Sequence, residues 1–255
     1  MDKLVARADA GDVEAQFALG LDYDEGRGVQ KDGESAAYWY KMAADHGNHA
    51  AQNNLGVLYA NGRGVQRDPA RAMMWYLRAA SEGYAPAKNN AGMMFANGEG
   101  VTQDDNTAVH WLREAAAAHD PTAESNYAYM LMTGRGTAKD PHKAAKLYLS
   151  AAKHGCITAQ EIIADMYEHG QGVKRDLPAS MQWLRKAAEH GSAFAETQIA
   201  RMYETGERLP KDRKMARELY QAAAAQGYPM AQYRLQQMDR SQIAGGTREA
   251  SLAAR

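Results

Sequence analysis

The sequence has very little cysteine and no long apolar run. Its one cysteine, Cys156, excludes an internal disulfide framework and is typical of a reducing compartment. No stretch approaches the roughly 18 consecutive apolar residues of a membrane-spanning helix. The opening MDKLVARADAGD lacks the apolar core of a secretory signal peptide. We therefore expect a cytoplasmic protein without membrane association.

An excess of either charge is also missing. Lys and Arg number 30 against 31 Asp and Glu, which gives a net charge of −1. A nucleic-acid-binding domain usually shows a strong basic excess, so nucleic acid is not an expected partner. The basic residues recur in short glycine-rich loops, where they could contact an acidic partner: Arg27, Lys31, Arg63, Arg67, Arg135, Lys139, Lys174, Arg175 and Lys211.

Those loops raise a question of their own, because a glycine-rich string before a helix can bind phosphate. NGRGV at residues 61–65 is such a string. It has close relatives throughout the chain: GRGV at 26–29, GEGV at 98–101, GRGT at 134–137, GQGV at 170–173 and GERL at 206–209. One phosphate site does not need so many copies, so the strings are interpreted as turns between helices.

A period of 36 residues runs through the whole chain. It starts at Ala15, and an alanine recurs at each step up to Ala231. The predicted repeats are 15–50, 51–86, 87–122, 123–158, 159–194 and 195–230. We expect residues 1–14 to be a capping half-repeat, 231–238 a capping helix, and 239–255 a disordered tail.

Each repeat reads as two helices. Residues 51–62 have helical apolar spacing and end at Gly62, which suits the left-handed closing conformation, and Asp68 then caps a second helix. These are called helix A and helix B. The four tryptophans share one helix B position, where we expect each to pack on the next repeat: Trp39, Trp75, Trp111 and Trp183.

The pattern A-x-x-x-L-G-x-x-Y-x-x-G-x-G-V-x-x-D-x-x-x-A-x-x-W-x-x-x-A-A-x-x-G, almost complete in residues 51–83, resembles the Sel-1-like repeat, a relative of the tetratricopeptide repeat. The resemblance covers residues 15–227. It implies an all-α, right-handed α/α superhelix, a solenoid of six helix-turn-helix repeats with capping helices, and a role as adaptor or scaffold. The sequence departs from the pattern at His119, Leu131 and Arg208.

By analogy with related solenoids, the A helices line a concave face that binds a protein or peptide. The predicted partner-binding residues there are Asn53, Asn54, Val57, Asn89, Asn90, Met93, Asn126, Tyr129, Met132, Glu161, Asp165 and Glu168. Side-chain amides both donate and accept, so the column Asn54, Asn90 and Asn126 can bind an extended peptide backbone. We expect solvent to satisfy these amides in the free protein. The alternative is that each amide bonds the neighbouring helix.

The acidic members of that set lie on one face of the fifth helix A. Glu161, Asp165 and Glu168 follow i, i+4 and i+7 spacing. This stripe would face a basic segment of a partner. An ordinary solvated helix face explains the same pattern.

Candidates for catalysis and for metal binding are weak. Ser150 and Lys153 match the S-x-x-K motif of serine β-lactamases, but neither S-D-N nor K-T-G occurs. His46 and His49 straddle Gly47 without a cysteine or carboxylate at ligand spacing. We expect no enzyme activity, metal or cofactor.

The predicted function is a monomeric interaction adaptor for a protein or peptide. The first alternative is an inhibitor or immunity-type protein that blocks a cognate protein. A β-lactamase-like hydrolase is the third hypothesis.

Overall fold

The computed structural model describes residues 2–240, and all the regular secondary structure in that range is helical. The A helices are α2 (Val13–Glu25), α4 (His49–Asn61), α6 (Ala85–Asn97), α8 (Pro121–Thr133), α10 (Ile157–His169) and α12 (Ala193–Thr205). The B helices are α1 (Asp2–Asp9), α3 (Gly33–Asp45), α5 (Pro69–Ser81), α7 (Asp105–Ala116), α9 (Pro141–Lys153), α11 (Leu177–Glu189) and α13 (Arg213–Ala225). A last helix A, α14, covers residues 229–240. None of the helices in this range is long and apolar enough to cross a membrane.

The described residues form two compact units, which divide between Ala151 and Ala152, so that unit 1 covers residues 2–151 and unit 2 covers residues 152–240. The first unit contains α1 to α8 and nearly all of α9, and the second contains α10 to α14. Within each unit, successive helices pack as antiparallel neighbours in the order of the chain, with the strongest contacts between helix A and helix B of one repeat.

The helix ends follow the sequence prediction. Gly62 closes α4 with φ 68°, and its N–H bonds the carbonyl of Leu58. The Asp68 carboxylate accepts a hydrogen bond from the N–H of Arg71 at 3.0 Å and caps α5. A left-handed glycine at the end of helix A and an aspartate cap at the start of helix B recur along the chain. The interpretation of the glycine strings as turns is therefore confirmed.

The second glycine of the loop, which is replaced by Arg208 in the sixth repeat, has a different role. A Cβ on Gly64 would lie 1.9 Å from the carbonyl carbon of Gly33, at the start of the preceding helix B. A Cβ on Gly136 would lie 2.0 Å from the carbonyl oxygen of Asp105. Glycine is therefore required because the loop of one repeat rests directly on the backbone of the previous one.

A small residue in helix A brings the two helices of a repeat together. A Cβ on Gly20 would lie 2.5 Å from the ring of Tyr40, and one on Gly56 would lie 2.6 Å from the ring of Tyr76. Both rings are buried. The aromatic side chain thus fills the space that a larger helix A residue would take.

Three of the four tryptophans, Trp39, Trp75 and Trp111, pack on the preceding repeat, so the prediction that they pack on the next one is wrong for these three. Trp183 packs, as predicted, against a cluster that includes Ala195 and Ile199 of the next repeat. Trp39 packs against Ala8 of α1, and Trp75 joins the cluster that contains Ala44 of α3. Trp111 packs in the same way against Ala80 of α5. Alanine at this helix B position leaves room for the indole ring of the repeat that follows.

Two departures from the repeat pattern leave a non-glycine residue with positive φ. His119 has φ 58° and Arg208 has φ 69°. Glycine adopts this region without strain, whereas an L-residue pays a steric cost. The described helices also overrun the predicted caps, because α2 begins at Val13 and α14 includes residues 239 and 240. The rest of the predicted tail, 241–255, lies outside the described residues.

Candidate functional site

Five asparagines of unit 1 form a continuous hydrogen-bonded line, here called the asparagine ladder: Asn53, Asn54, Asn89, Asn90 and Asn126. The Asn126 amide donates to Oδ1 of Asn89 at 2.8 Å, and Asn89 donates to Asn90 at 3.5 Å. Asn90 donates to Oδ1 of Asn53 at 2.9 Å, and Asn53 donates to Asn54 at 3.3 Å. The ladder therefore joins α4, α6 and α8, the A helices of three successive repeats.

The expectation that solvent satisfies Asn54, Asn90 and Asn126 is wrong for two of them, because Asn90 and Asn126 each donate to the neighbouring A helix. Asn53 and Asn89 are only 7% and 6% exposed, and their side chains bond the adjacent repeat. The amides at the other position, Asn54, Asn90 and Asn126, are half-buried. An amide carries two N–H donors and two acceptor lone pairs. Asn90 uses one donor and one acceptor site in the ladder, so half of its hydrogen-bonding capacity remains for another molecule.

Apolar side chains flank the ladder. Val57, Met93 and Met132 are half-buried, and Tyr129 is 47% exposed. These four residues come from the same three helices as the ladder. The A-helix face of unit 1 therefore combines fixed amide groups with an exposed aromatic ring and flexible methionine side chains, which adapt to differently shaped partners.

Several of the predicted basic loop residues are already used within the fold. Arg63 bonds Asp24 at 2.8 Å, and Arg135 bonds Asp105 at 2.6 Å. In each pair the arginine reaches back to the preceding repeat. The Arg67 guanidinium donates to the carbonyl of Ala60 at 3.0 Å. These contacts favour a role in repeat stacking over contact with an acidic partner.

Ser150 of the S-x-x-K match has a structural partner. Its hydroxyl donates to Oε1 of Glu124 at 2.9 Å, and Glu124 is buried. Oε2 of Glu124 is buried and has no hydrogen-bond partner among the described residues. Glutamine occupies the equivalent position in three other repeats and donates to a backbone carbonyl, as Gln52 does to Ala44 at 3.0 Å. Ser150 thus compensates in part for a carboxylate at a position suited to an amide.

The acidic stripe lies in unit 2 and lines a groove between α10 and α12. The groove has a volume of about 280 Å³. Glu161, Asp165 and Glu168 form its α10 wall. Its α12 wall and its floor, on α11, include residues that sequence reasoning did not select: Phe194, Gln198, Arg201, Met202, Ser180 and Leu184.

The three carboxylates of the stripe differ in how they are bonded. Glu168 accepts a hydrogen bond from Arg208 at 2.6 Å, which holds the pKa of Glu168 below its ordinary value. Glu161 accepts a hydrogen bond from the hydroxyl of Ser192. The Asp165 carboxylate is 59% exposed and lies 3.1 Å from Nδ1 of His169. No Lys or Arg within residues 2–240 forms an ion pair with Glu161 or Asp165.

The structure thus separates the predicted set into two groups. The ladder and its apolar neighbours lie together in unit 1, and the acidic stripe lies in unit 2. Gln198 was missed, although it occupies the same repeat position as Asn54, Asn90 and Asn126. Across the described range, no group of three or more His, Cys, Asp or Glu side chains is placed to hold a metal ion.

Comparison with solved structures finds other proteins with this fold. The chain is 34% identical to a protective antigen of uropathogenic Escherichia coli that displays an SLR fold, with a TM-score of 0.73 over 92% of this chain. It spans only 50% of the length of that antigen. A Sel1 repeat protein from Oxalobacter formigenes is 31% identical, with a TM-score of 0.76 over 84% of this chain and 85% of that one.

A more distant structure is an immunity protein from Pseudomonas aeruginosa. It is 19% identical, with a TM-score of 0.59 over 86% of this chain and 83% of that one. This likeness shows the fold alone. No curated protein matched the sequence.

The family model of the Sel1 repeat matches six segments: 13–48, 49–84, 85–120, 121–156, 157–192 and 193–228. They keep the 36-residue period and begin two residues before the predicted repeats, at the first residue of each helix A. Sel1 repeats are non-catalytic helical scaffolds that generally mediate protein–protein interaction. With this fold and these six matches, the chain belongs to the Sel1 repeat family.

Proposed function

We propose that the chain is an adaptor that binds an extended segment of a partner protein along the asparagine ladder. The observation that carries this proposal is the ladder itself. Its inner amides are fixed by hydrogen bonds between repeats, while Asn54, Asn90 and Asn126 remain half-exposed. Donors and acceptors that are already held in place bind a peptide backbone with little further loss of conformational entropy.

Tyr129 supplies the anchor in this proposal. It is one of the few large apolar side chains of unit 1 that are exposed, and it lies on α8 beside the end of the ladder at Asn126. Tyrosine is enriched among the residues that dominate protein interfaces, because its rigid ring buries much surface at low entropic cost. We place this interaction in the cytoplasm, on the basis of the single cysteine, and propose that the protein acts as a monomer.

Site-specific photo-crosslinking tests the proposal. A benzoylphenylalanine replaces Tyr129 in one variant and Met74 in a matched control. Met74 is 56% exposed but lies on α5, a B helix of the same unit. Irradiation of cells that express each variant should give a discrete crosslinked protein from position 129 and none from position 74. Crosslinks from position 74 alone would contradict the proposed binding face.

The inhibitor hypothesis predicts the same contact between the partner and Tyr129, but a different effect on the activity of the partner. A captured partner with a measurable activity is assayed alone and with an equimolar amount of this chain. An adaptor should leave that activity unchanged, whereas an inhibitor should abolish it. The second result would move the assignment to an immunity-type function, which the distant fold likeness does not by itself support.

A further inference from the structure

The α10–α12 groove exists because the asparagine ladder has no counterpart in unit 2. In unit 1, Asn90 bonds Asn53 and Asn126 bonds Asn89, in each case a residue 37 positions earlier. The equivalent pair in repeats five and six is Gln198 and Glu161. These two side chains both line the groove, and among the described residues no hydrogen bond joins them.

Glu161 has a different partner. Its carboxylate accepts from the Ser192 hydroxyl at the start of α12. The longer Gln198 side chain is left half-exposed and without a hydrogen bond within residues 2–240. The side-chain hydrogen bond that joins neighbouring A helices in unit 1 is therefore missing between Gln198 and Glu161, and the space between α10 and α12 stays open.

The open space has two chemically different sides. On α10, Glu161 and Asp165 are carboxylates without a Lys or Arg partner among the described residues, and Asp165 lies beside the imidazole of His169. The opposite side and the floor include Phe194, which is 38% exposed, and Leu184. Arg201 and His169 are the basic residues of the lining, and both lie close enough to Glu168 to help Arg208 lower the pKa of that carboxyl.

We propose that this groove binds a partner segment in which an arginine or lysine stands next to an apolar side chain. The cation pairs with Glu161 and Asp165, the apolar side chain packs on Phe194 and Leu184, and the Gln198 amide bonds the segment backbone. The charge of the groove favours this occupant, because within residues 2–240 neither Glu161 nor Asp165 is paired with a Lys or Arg, while Glu168 is neutralised by Arg208. The proposal rests on the proposed function, since it specifies a second contact of the same partner class.

The test uses a defined probe, a randomised decapeptide library passed over the immobilised full-length protein. Bound peptides should be enriched in Arg or Lys beside Leu, Ile or Phe. The selected peptide should bind Glu161→Gln/Asp165→Asn about tenfold more weakly than wild type, as expected for the loss of paired charges. The matched control is Glu189→Gln/Glu207→Gln, which removes two exposed carboxylates outside the groove lining and should bind like wild type.

A salt titration on the unmodified protein gives a second measurement, in case the groove variant folds poorly. Raising the salt from about 50 to 500 mM should weaken the selected peptide about tenfold, because exposed charges are screened. Phe194→Ala should weaken it to a similar degree at both salt concentrations.

Some results would overturn the inference. No basic enrichment, or equal binding to the groove variant and to wild type, would show that the groove does not select a cation. If position 129 still crosslinks a partner, the proposed function then stands without this second contact. Selection of basic peptides without a crosslink at position 129 would instead support the groove and contradict the ladder.

Discussion

A Cβ atom at Gly64 would lie 1.9 Å from the carbonyl carbon of Gly33 in the preceding repeat. Gly83 also has positive φ, 89°, but nothing lies within 4 Å of the equivalent point. Comparison of Gly64 with Gly83 thus distinguishes the cost of backbone strain from the cost of steric contact between repeats. Gly83 needs glycine for its conformation alone, and Gly64 needs it for both reasons.

This difference predicts unequal effects of alanine. Gly83→Ala should cost about 1–2 kcal/mol of unfolding free energy, the ordinary cost of a left-handed L-residue. Gly64→Ala should cost about 1–3 kcal/mol more, because the loop must separate from α3. Urea unfolding of both variants measures the difference. Equal losses would mean that the loop moves freely on its neighbour.

The asparagine ladder predicts a stability effect. Asn90→Ala should lower the unfolding free energy by about 1–3 kcal/mol, because it leaves the buried Oδ1 of Asn53 without its donor. Asn97→Ala changes an exposed residue of the same helix and should stay within about 0.5 kcal/mol of wild type. Thermal melting of the two variants measures this difference. Equal melting temperatures for Asn90→Ala and Asn97→Ala would contradict the role of Asn90 in bonding the neighbouring repeat.

Glu124 predicts a stabilising substitution. Glu124→Gln should raise the unfolding free energy by about 1 kcal/mol, because the new amide can donate to the carbonyl of Ala116, the equivalent of the bond from Gln52 to Ala44. The reciprocal control, Gln52→Glu, should destabilise, since it removes that donor. Calorimetry should show melting temperatures that move in opposite directions, by about 2–4 °C for each kcal/mol. Two shifts of the same sign would contradict this account.

The ion pair of Glu168 and Arg208 predicts a pH effect. The hydrogen bond from Arg208 lowers the folded-state pKa of Glu168, so its stabilising contribution is present above the ordinary Glu pKa of about 4.3 and is lost as the pH falls through the lowered pKa. Glu168→Gln should therefore be less stable than wild type at neutral pH, and the gap should narrow on acidification. Arg208→Gln, which keeps the positive-φ strain, should behave alike. Gaps that stay constant from pH 7 to 3 would rule out this linkage.

The proposed binding face predicts a change in affinity with little change in stability. Tyr129→Ala should weaken binding of the crosslinked partner by about 2 kcal/mol, close to thirtyfold, because an exposed aromatic ring on such a face acts as an anchor. Its melting temperature should stay near that of wild type. Isothermal titration with the purified partner measures the first effect. Retained affinity would move the binding site away from α8.

The sequence was sufficient to predict the helices, their ends and the repeat period, because these depend on local signals that recur six times. Asp68 and Gly62 each act within a few residues of their own position. Each bond of the ladder between repeats joins residues 37 positions apart on neighbouring A helices, and the register between those helices follows from packing. The repeat alignment did contain a signal for Glu124, since three equivalent positions are Gln16, Gln52 and Gln160, but its burial could be known only from the structure.

The constant 36-residue period, with each inter-repeat bond joining residues 37 positions apart, has a consequence for how the number of repeats can change. Asn126 occupies the same position in its repeat as Asn90 does, so loss of residues 87–122 would bring Asn126 opposite Asn53 and restore the same bond. A gain or loss of whole repeats preserves every such pairing, whereas a single inserted residue in a helix rotates the following side chains by about 100° and breaks them. The number of repeats can therefore change with little disturbance to the hydrogen bonds between them.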